Sequence, residues 1–336
     1  MNPIGVGFLD LNSEGLFHLE RMLLQTDFRC LAGWSERPEC FATHGFLQRT
    51  ALSPQEIIKD PQISLLWIGP QATPSLIPSA LDAGKHVLLG VPTASSAREW
   101  QSWTNHSAGG SAAKMFVAAL HRWDGQFQTV QQLVQKGELG QIIDVRRISR
   151  QYVPQELSLP PLGGGNAARQ TTESLPIQQH ELQYERTKWF EILDELLLLV
   201  DEPVVSVLAQ STGTRRDADS RERAGRCVSL EFAGGCRAWL ELNRQSLAPL
   251  ETGWILDGDA AGFADGKRFR AAPDYELIDV PVDESTTDQS AFYDAVVAAI
   301  QNGGECPVSY DSIQRVLELL ESIDTSIQTG QAVRAN

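Results

Sequence analysis

The first 40 residues place the tightest limits on how this chain can fold. Residues 4–9 form a short apolar run rich in β-forming side chains, which predicts a buried strand. Leucines at positions 16, 19, 23 and 24 then recur at helical spacing, and residues 28–34 form a second apolar run. This strand, turn, helix and second strand make up the unit in which α/β proteins hold a dinucleotide pyrophosphate at a helix N-terminus.

The turn after the first strand departs from the glycine-rich pattern G-x-G-x-x-G that such a site uses. Its three glycine positions fall on Asp10, Asn12 and Gly15, with Leu11 between the first two. Asn12 tolerates a left-handed backbone, but an Asp10 carboxylate about 5 Å from one phosphate charge costs about 3 kcal/mol at an effective dielectric of about 20. Glu14 adds a second negative charge nearby. Two alternatives stay open: a strand–turn–helix without a dinucleotide, or an altered dinucleotide site.

Length, composition and charge exclude several classes of protein. A chain of 336 residues with 42% apolar residues favours two domains with sizeable cores. The formal net charge of −15 makes nucleic acid and anionic membranes poor partners, because both bind clustered Lys and Arg. No apolar run reaches about 18 residues, so a membrane span is not expected. Five scattered cysteines favour reduced thiols in a cytoplasm, and the dispersed histidines predict no metal site.

Strands and helices alternate over residues 1–120, which predicts a doubly wound parallel sheet of the Rossmann type. Further strands are predicted at 63–68, 86–89 and 114–119. Ligands of such sheets bind at the carboxyl ends of the strands. The residues at those ends are therefore the candidate cofactor-binding residues: Asp10, Leu11, Asn12, Gly15, Ser35, Glu36, Gly69, Pro70, Gly90, Val91 and Pro92.

Residues 121–336 form the predicted second domain. A polar segment rich in Pro and Gly, 151–179, separates a strand at 142–148 from a helix at 182–200. Four more strands and a last helix are predicted at 204–210, 226–232, 238–243, 253–258 and 310–328. Trp239, Leu240 and Leu242 are expected either to cover an open sheet face used for self-association or to lie in a core strand under helices.

Short motifs in a fixed order carry a resemblance that runs nearly end to end. They are DPQI at 60–63, AGKHVL at 83–88, HRWD at 121–124, GELGQI at 137–142, EPVVSV at 202–207 and FYDAV at 292–296. In this order they resemble the Gfo/Idh/MocA family, named for glucose–fructose oxidoreductase and inositol dehydrogenase. The resemblance implies a Rossmann domain followed by an α/β domain with an open, mainly antiparallel sheet. It also implies NAD or NADP as cofactor, a sugar or polyol ligand, and homo-oligomers formed through the open sheet.

Two catalytic motifs implied by the resemblance are altered. The family's E-K-P tripeptide corresponds to Gly90-Val91-Pro92, so that its lysine is Val91, which cannot carry a proton. The family's D-x-G-x-H-x-x-D pattern, placed from Glu202-Pro203, puts Glu191 at the histidine position and keeps only Asp194. General acid–base assistance is worth roughly 100- to 10,000-fold in rate.

Three residues remain as catalytic candidates. Glu191 and Asp194 share one helix face, where they act either as a buried base with a raised pKa or as a solvated face together with Glu195. His180 lies eleven residues before the family's histidine position, so a catalytic role for it needs a rearranged loop.

The phosphate turn, the lysine and the histidine are altered together, while the framework motifs are kept. The sequence therefore predicts an oxidoreductase homologue with a degenerate active site, which acts as a binding or regulatory protein and has lost or weakened NAD(P) binding. The alternative is an active NAD(P)-dependent dehydrogenase or reductase of a sugar or polyol with an atypical acid or base. A third possibility is a subunit whose partner supplies the active site.

Overall fold

The computed structural model describes residues 2–9, 13–35, 47–69, 74–91, 94–108, 112–152, 177–212, 225–272 and 276–335. Within it the chain divides into two compact units. Unit 1 combines residues 1–120 with 288–315, and unit 2 combines 121–287 with 316–336. The sequence predicts a single division after residue 120, whereas the segment 288–315 packs with the N-terminal unit.

Unit 1 is built on a six-stranded sheet of the predicted Rossmann type, in the order β3-β2-β1-β4-β5-β6, with parallel neighbours throughout. The strands are β1 (Ile4–Leu9), β2 (Phe28–Trp34), β3 (Arg49–Thr50), β4 (Leu65–Ile68), β5 (His86–Leu89) and β6 (Met115–Val117). The helices between them are α1 (Ser13–Leu23), α2 (Pro54–Ile58), α3 (Leu76–Asp82) and α4 (Ala97–Ala108). Every residue of β1, β4 and β6 is buried, as expected for a sheet covered on both faces.

Two glycines inside β1 allow the strand to pack closely against its neighbours. A Cβ on Gly5 would lie 2.9 Å from the backbone carbonyl carbon of Gln62 and closer still to its oxygen. A Cβ on Gly7 would collide with the side chains of Ile57 and Ile63. These two glycines are therefore framework residues, and they do not belong to a phosphate-binding turn.

Helix α1 is tied to the C-terminal part of unit 1 by a buried polar pair. The His18 Nδ1 lies 2.7 Å from the Tyr293 hydroxyl, and the His18 ring stacks on Trp67 with ring centroids 4.2 Å apart. Burial lowers the pKa of the His18 imidazole to about 3, so the ring that shares this hydrogen bond with the Tyr293 hydroxyl is neutral. This contact explains why 288–315 joins unit 1.

Unit 2 contains a nine-stranded, mainly antiparallel sheet in the order β15-β14-β13-β12-β7-β10-β9-β8, with β11 also paired to β7. The strands are β7 (Ile142–Tyr152), β8 (Val204–Thr212), β9 (Gly225–Phe232), β10 (Arg237–Asn243), β11 (Gln245–Glu251), β12 (Ile255–Gly258), β13 (Gly262–Ala264), β14 (Lys267–Ala271) and β15 (Leu277–Val280). The remaining helices of the two units are α5 (Gly125–Gln135), α6 (Ile177–Leu199), α7 (Ser290–Gln301) and α8 (Tyr310–Thr329).

The expectation that Trp239, Leu240 and Leu242 cover one sheet face is wrong. Side chains alternate between the faces of a strand, and these three residues do not share parity. Leu240 and Leu242 are buried, whereas the Trp239 side chain is 42% exposed on the opposite face. Trp239 on β10 and Leu208 on β8 both pair with Ser229 on the strand between them, β9, so their side chains lie on the same face of the sheet. Leu208 is also exposed. Unit 2 therefore presents a partly apolar open sheet face.

Among the described residues, no helix is both long and apolar enough to cross a bilayer.

Candidate functional site

The carboxyl ends of four strands of unit 1 meet at one edge of the parallel sheet. Leu9, the last residue of β1, is in register with Trp34 of β2 and Ile68 of β4, and Ile68 is in register with Leu89 of β5. The amide of Gly69 donates to the carbonyl of Leu9 over 3.0 Å, which extends the pairing by one residue. The strands that precede Gly69 and Gly90 therefore end at the same edge of the sheet as β1 and β2.

Of those candidates, Gly15, Ser35, Gly69, Gly90 and Val91 are described, and all five are buried. Asp10, Leu11, Asn12, Glu36, Pro70 and Pro92 lie outside the described residues.

Glu14 and Gly90 are in close contact at this edge. Glu14 stands in the first turn of α1, where a negative charge complements the helix dipole. A Cβ on Gly90 would lie 2.7 Å from the Glu14 carboxyl carbon and 2.9 Å from its Oε2, and closer still to Oε1. The Glu14 carboxylate thus fills the space that any side chain at position 90 would enter. The sequence drew attention to the charge of Glu14 but could not indicate this contact.

Unit 2 holds a buried cluster of charged groups around Asp194 on α6. Arg122 donates to both oxygens of Asp194, from Nε over 2.7 Å and from Nη2 over 2.6 Å. The Nε2 of His121 lies 2.7 Å from the same carboxylate. Burial acts to raise the pKa of Asp194, but the hydrogen bond from His121 and the Arg122 charge outweigh burial and hold this pKa below its ordinary value. Asp194 is therefore an ion-pair residue that stays ionised.

The next residue on α6, Glu195, is a second buried carboxylate. It accepts hydrogen bonds from the Trp254 indole over 2.7 Å and from the Arg147 guanidinium, which also stacks on the Trp254 ring. Burial raises the pKa of Glu195 despite these donors. The expectation of a solvated face formed by Glu191, Asp194 and Glu195 is therefore wrong for Asp194 and Glu195, because tertiary contacts cover that side of the helix.

Glu191 and His180 stand apart from this cluster. Glu191 is half-buried and pairs with Lys188, three residues earlier on α6, at 2.7 Å. His180 belongs to the first turn of α6, which begins at Ile177, five residues earlier than the predicted helix; its side chain lies outside the described part of the chain.

The HRWD motif is part of the family resemblance, and the sequence did not predict its contacts within unit 2. His121 and Arg122 hold Asp194, and the Asp124 carboxylate caps α5 by accepting from the amides of Gln126 and Phe127. A histidine and an arginine before a helix cap are a signal, but their acidic partner lies more than 70 residues away. The Nδ1 of His121 is buried and finds no hydrogen-bond partner among the described residues.

The described residues contain no group of three or more His, Cys, Asp or Glu side chains that could hold a metal ion.

Solved structures resemble this chain over nearly its whole length. A protein from Yersinia pestis, provisionally named an oxidoreductase, superimposes with a TM-score of 0.81 at 20% identity, covering 99% of this chain and 97% of the other. An NAD-binding protein from Listeria innocua gives a TM-score of 0.79 at 20% identity, covering 99% and 97%. A protein from Sinorhizobium meliloti, provisionally named a myo-inositol dehydrogenase, gives 0.74 at 18% identity, covering 99% and 100%.

The chain has a Gfo/Idh/MocA-like fold. The sequence matches no protein-family model and no characterised protein sequence, so the likeness at this level of identity concerns the fold. Within the Gfo/Idh/MocA-like fold, the first two positions of the altered tripeptide, Gly90 and Val91, follow β5 at the sheet edge of unit 1. Val91, which the sequence resemblance aligns with the family's lysine, is a buried apolar residue, 7% exposed.

Proposed function

We propose that this protein binds a small molecule, as a sensor or regulator, and does not transfer hydride. The observation that carries the proposal is Val91, a buried valine at the end of β5 where the resembling enzymes have a lysine. A valine side chain neither donates a hydrogen bond nor exchanges a proton, so this position offers no acid or base. Loss of such a group lowers a rate by roughly 100- to 10,000-fold.

The candidate acids of unit 2 give further support. Asp194 is hydrogen-bonded to His121 and Arg122, which hold its pKa below the ordinary value. It is therefore a poor proton acceptor at neutral pH. Glu191 is paired with Lys188. In this proposal neither Asp194 nor Glu191 replaces the catalytic histidine that the family resemblance implies. In this proposal Asp194 and Arg122 maintain the fold of unit 2.

One observation favours the alternative, an active NAD(P)-dependent dehydrogenase of a sugar or polyol. Glu195 is buried and has a raised pKa, which is the usual condition of a carboxyl group that acts as general acid or base. A working enzyme with this fold would use Glu195, or Glu191 or His180 as the sequence suggests, in place of the missing pair.

Turnover separates the two functions directly. The purified full chain is incubated with NAD and NADP and a panel of sugars and polyols, and with NADH and NADPH and the matching ketoses and aldehydes, while absorbance at the reduced nicotinamide band is followed. The proposal expects no turnover above the uncatalysed rate with any pair. Turnover that disappears in Glu195→Gln, Glu191→Gln or His180→Gln, but persists in Glu20→Gln, which alters an exposed acid of α1, would establish the alternative.

Assembly and location complete the proposal. The exposed face around Trp239 and Leu208 favours a homo-oligomer formed through the sheet of unit 2. A third possibility is that the partner is a catalytically intact paralogue. In that case the two proteins should co-purify. The odd, scattered cysteines favour the cytoplasm as the compartment.

A further inference from the structure

Glu14 and Gly90 together decide what can occupy the strand-end edge of unit 1. The two residues come from different elements, the first turn of α1 and the end of β5, and the carboxylate of one lies against the backbone of the other. The contact needs glycine at position 90, because the carboxyl carbon and both oxygens of Glu14 lie within 3.0 Å of where a Cβ would stand. A negative charge is therefore built into this edge.

A dinucleotide does not fit this arrangement. In parallel sheets of this type the pyrophosphate lies at the N-terminus of the first helix, where backbone amides and the helix dipole attract a negative charge. Here the first turn of α1 already carries a carboxylate, which is half-buried and points along the sheet edge towards β5. Two like charges held close together in a partly buried site repel each other.

We propose that Glu14 is a specificity-determining residue that excludes phosphate-bearing ligands from the strand-end edge of unit 1. Its carboxylate, seated against Gly90, serves as an internal anion at the helix N-terminus. This inference does not depend on the proposed function, because it concerns only what the strand-end edge of unit 1 excludes.

The test measures equilibrium binding of NADH to the full chain, by calorimetry, for the wild type and Glu14→Gln. Glutamine keeps the shape of the side chain and removes its charge. We expect Glu14→Gln to bind NADH at least tenfold more tightly than the wild type. Glu20→Gln is the matched control, because Glu20 is an exposed acid on the same helix. An equal gain in both variants, or no gain in Glu14→Gln, would overturn the proposal.

Two further measurements show whether charge is the cause. The advantage of Glu14→Gln should shrink as salt rises from about 0.01 M to about 1 M, because the screening length falls from about 30 Å to about 3 Å. Dihydronicotinamide riboside, which has no phosphate, should bind the two proteins equally. An advantage that is independent of salt, or that extends to the riboside, would contradict exclusion by charge.

These outcomes are independent of the turnover test. Hydride transfer by the wild type would refute the proposed function and leave the comparison of binding constants intact. A wild type without turnover, whose NADH affinity is unchanged in Glu14→Gln, would refute the role of Glu14 alone.

Discussion

Arg122 binds Asp194 through two parallel hydrogen bonds, although the residues are 72 positions apart in the sequence. Asp194 is 1% exposed, and its other neighbour is the His121 imidazole. This carboxylate balances the charge of the Arg122 guanidinium. Its contacts with Arg122 and His121 give Asp194 a role in the fold of unit 2, so its presence alone is weak evidence for catalysis.

Replacing Asp194 with asparagine should destabilise unit 2 strongly. The substitution removes the negative charge that two Arg122 hydrogen bonds reach, and breaking a buried pair in this way costs about 3–5 kcal/mol. Urea unfolding of the wild type and Asp194→Asn measures the difference. The matched control is Glu191→Gln on the same helix, which breaks the half-exposed pair with Lys188 and should cost less than about 1 kcal/mol.

The cost of Asp194→Asn should depend on pH with a defined sign. The pKa of Asp194 in the folded protein lies below its ordinary value of 3.8, so the ionised acid is favoured by folding. The difference in free energy of unfolding between the wild type and Asp194→Asn is fully present above pH 4. It is lost as the pH falls through the pKa of Asp194 in the folded protein. An advantage that grows on acidification would contradict this account.

His18 predicts a second pH dependence, located in unit 1. Burial lowers the pKa of His18 from 6.5 to about 3, so the unfolded chain binds a proton that the folded protein does not. The free energy of unfolding should therefore fall below pH 6.5, by about 1.4 kcal/mol for each pH unit. Chemical unfolding at pH 7, 6 and 5 measures the slope.

The comparison for His18 uses two substitutions. His18→Gln removes the titrating group and should flatten the slope by about one proton, although it also weakens the hydrogen bond to Tyr293. Tyr293→Phe removes the hydroxyl partner but keeps the buried histidine, so the slope should stay near that of the wild type. An unchanged slope in His18→Gln would show that His18 does not remain neutral in the folded state.

Gly5→Ala should destabilise unit 1 by more than about 2 kcal/mol. The new methyl group would meet the backbone carbonyl of Gln62, which cannot move without disturbing the buried strand β1. Thermal unfolding measures the loss. Gly253→Ala is the matched control, because no atom lies within 4 Å of a Cβ at that position. Equal melting temperatures for the wild type and Gly5→Ala would contradict the close packing of β1.

Local patterns predicted five of the six strands of unit 1, because those strands are buried apolar runs; the two-residue β3 (Arg49–Thr50), which is polar, was not predicted. The short strands β13, β14 and β15 were not predicted, since stretches such as Lys267–Ala271 carry mostly polar, part-exposed side chains whose pairing is decided by neighbouring strands. The inclusion of 288–315 in unit 1 was also missed. It depends on contacts such as that of Tyr293 with His18, which join residues 275 positions apart.

The candidate site was also predicted only in part. Sequence spacing placed Gly69, Gly90 and Val91 at one edge, because parallel strands end together. Spacing could not indicate that the Glu14 side chain fills the space over Gly90, nor that Asp194 and Glu195 are buried against Arg122 and Arg147. Such contacts depend on tertiary packing, which a helical periodicity leaves undetermined.

Trp239→Lys should dissociate the homo-oligomer proposed for unit 2. Trp239 of β10 is 42% exposed on the same sheet face as Leu208 of β8, with Ser229 of β9 between them, and a lysine there would place two or more like charges in an apolar interface. Sedimentation velocity measures the mass of the wild type and the variant, and circular dichroism verifies that both are folded. Leu52→Lys is the control, because Leu52 is 95% exposed in unit 1 and should not affect assembly. A wild type that sediments as a monomer at all concentrations, or an oligomer that survives Trp239→Lys, would show that this face is not the interface.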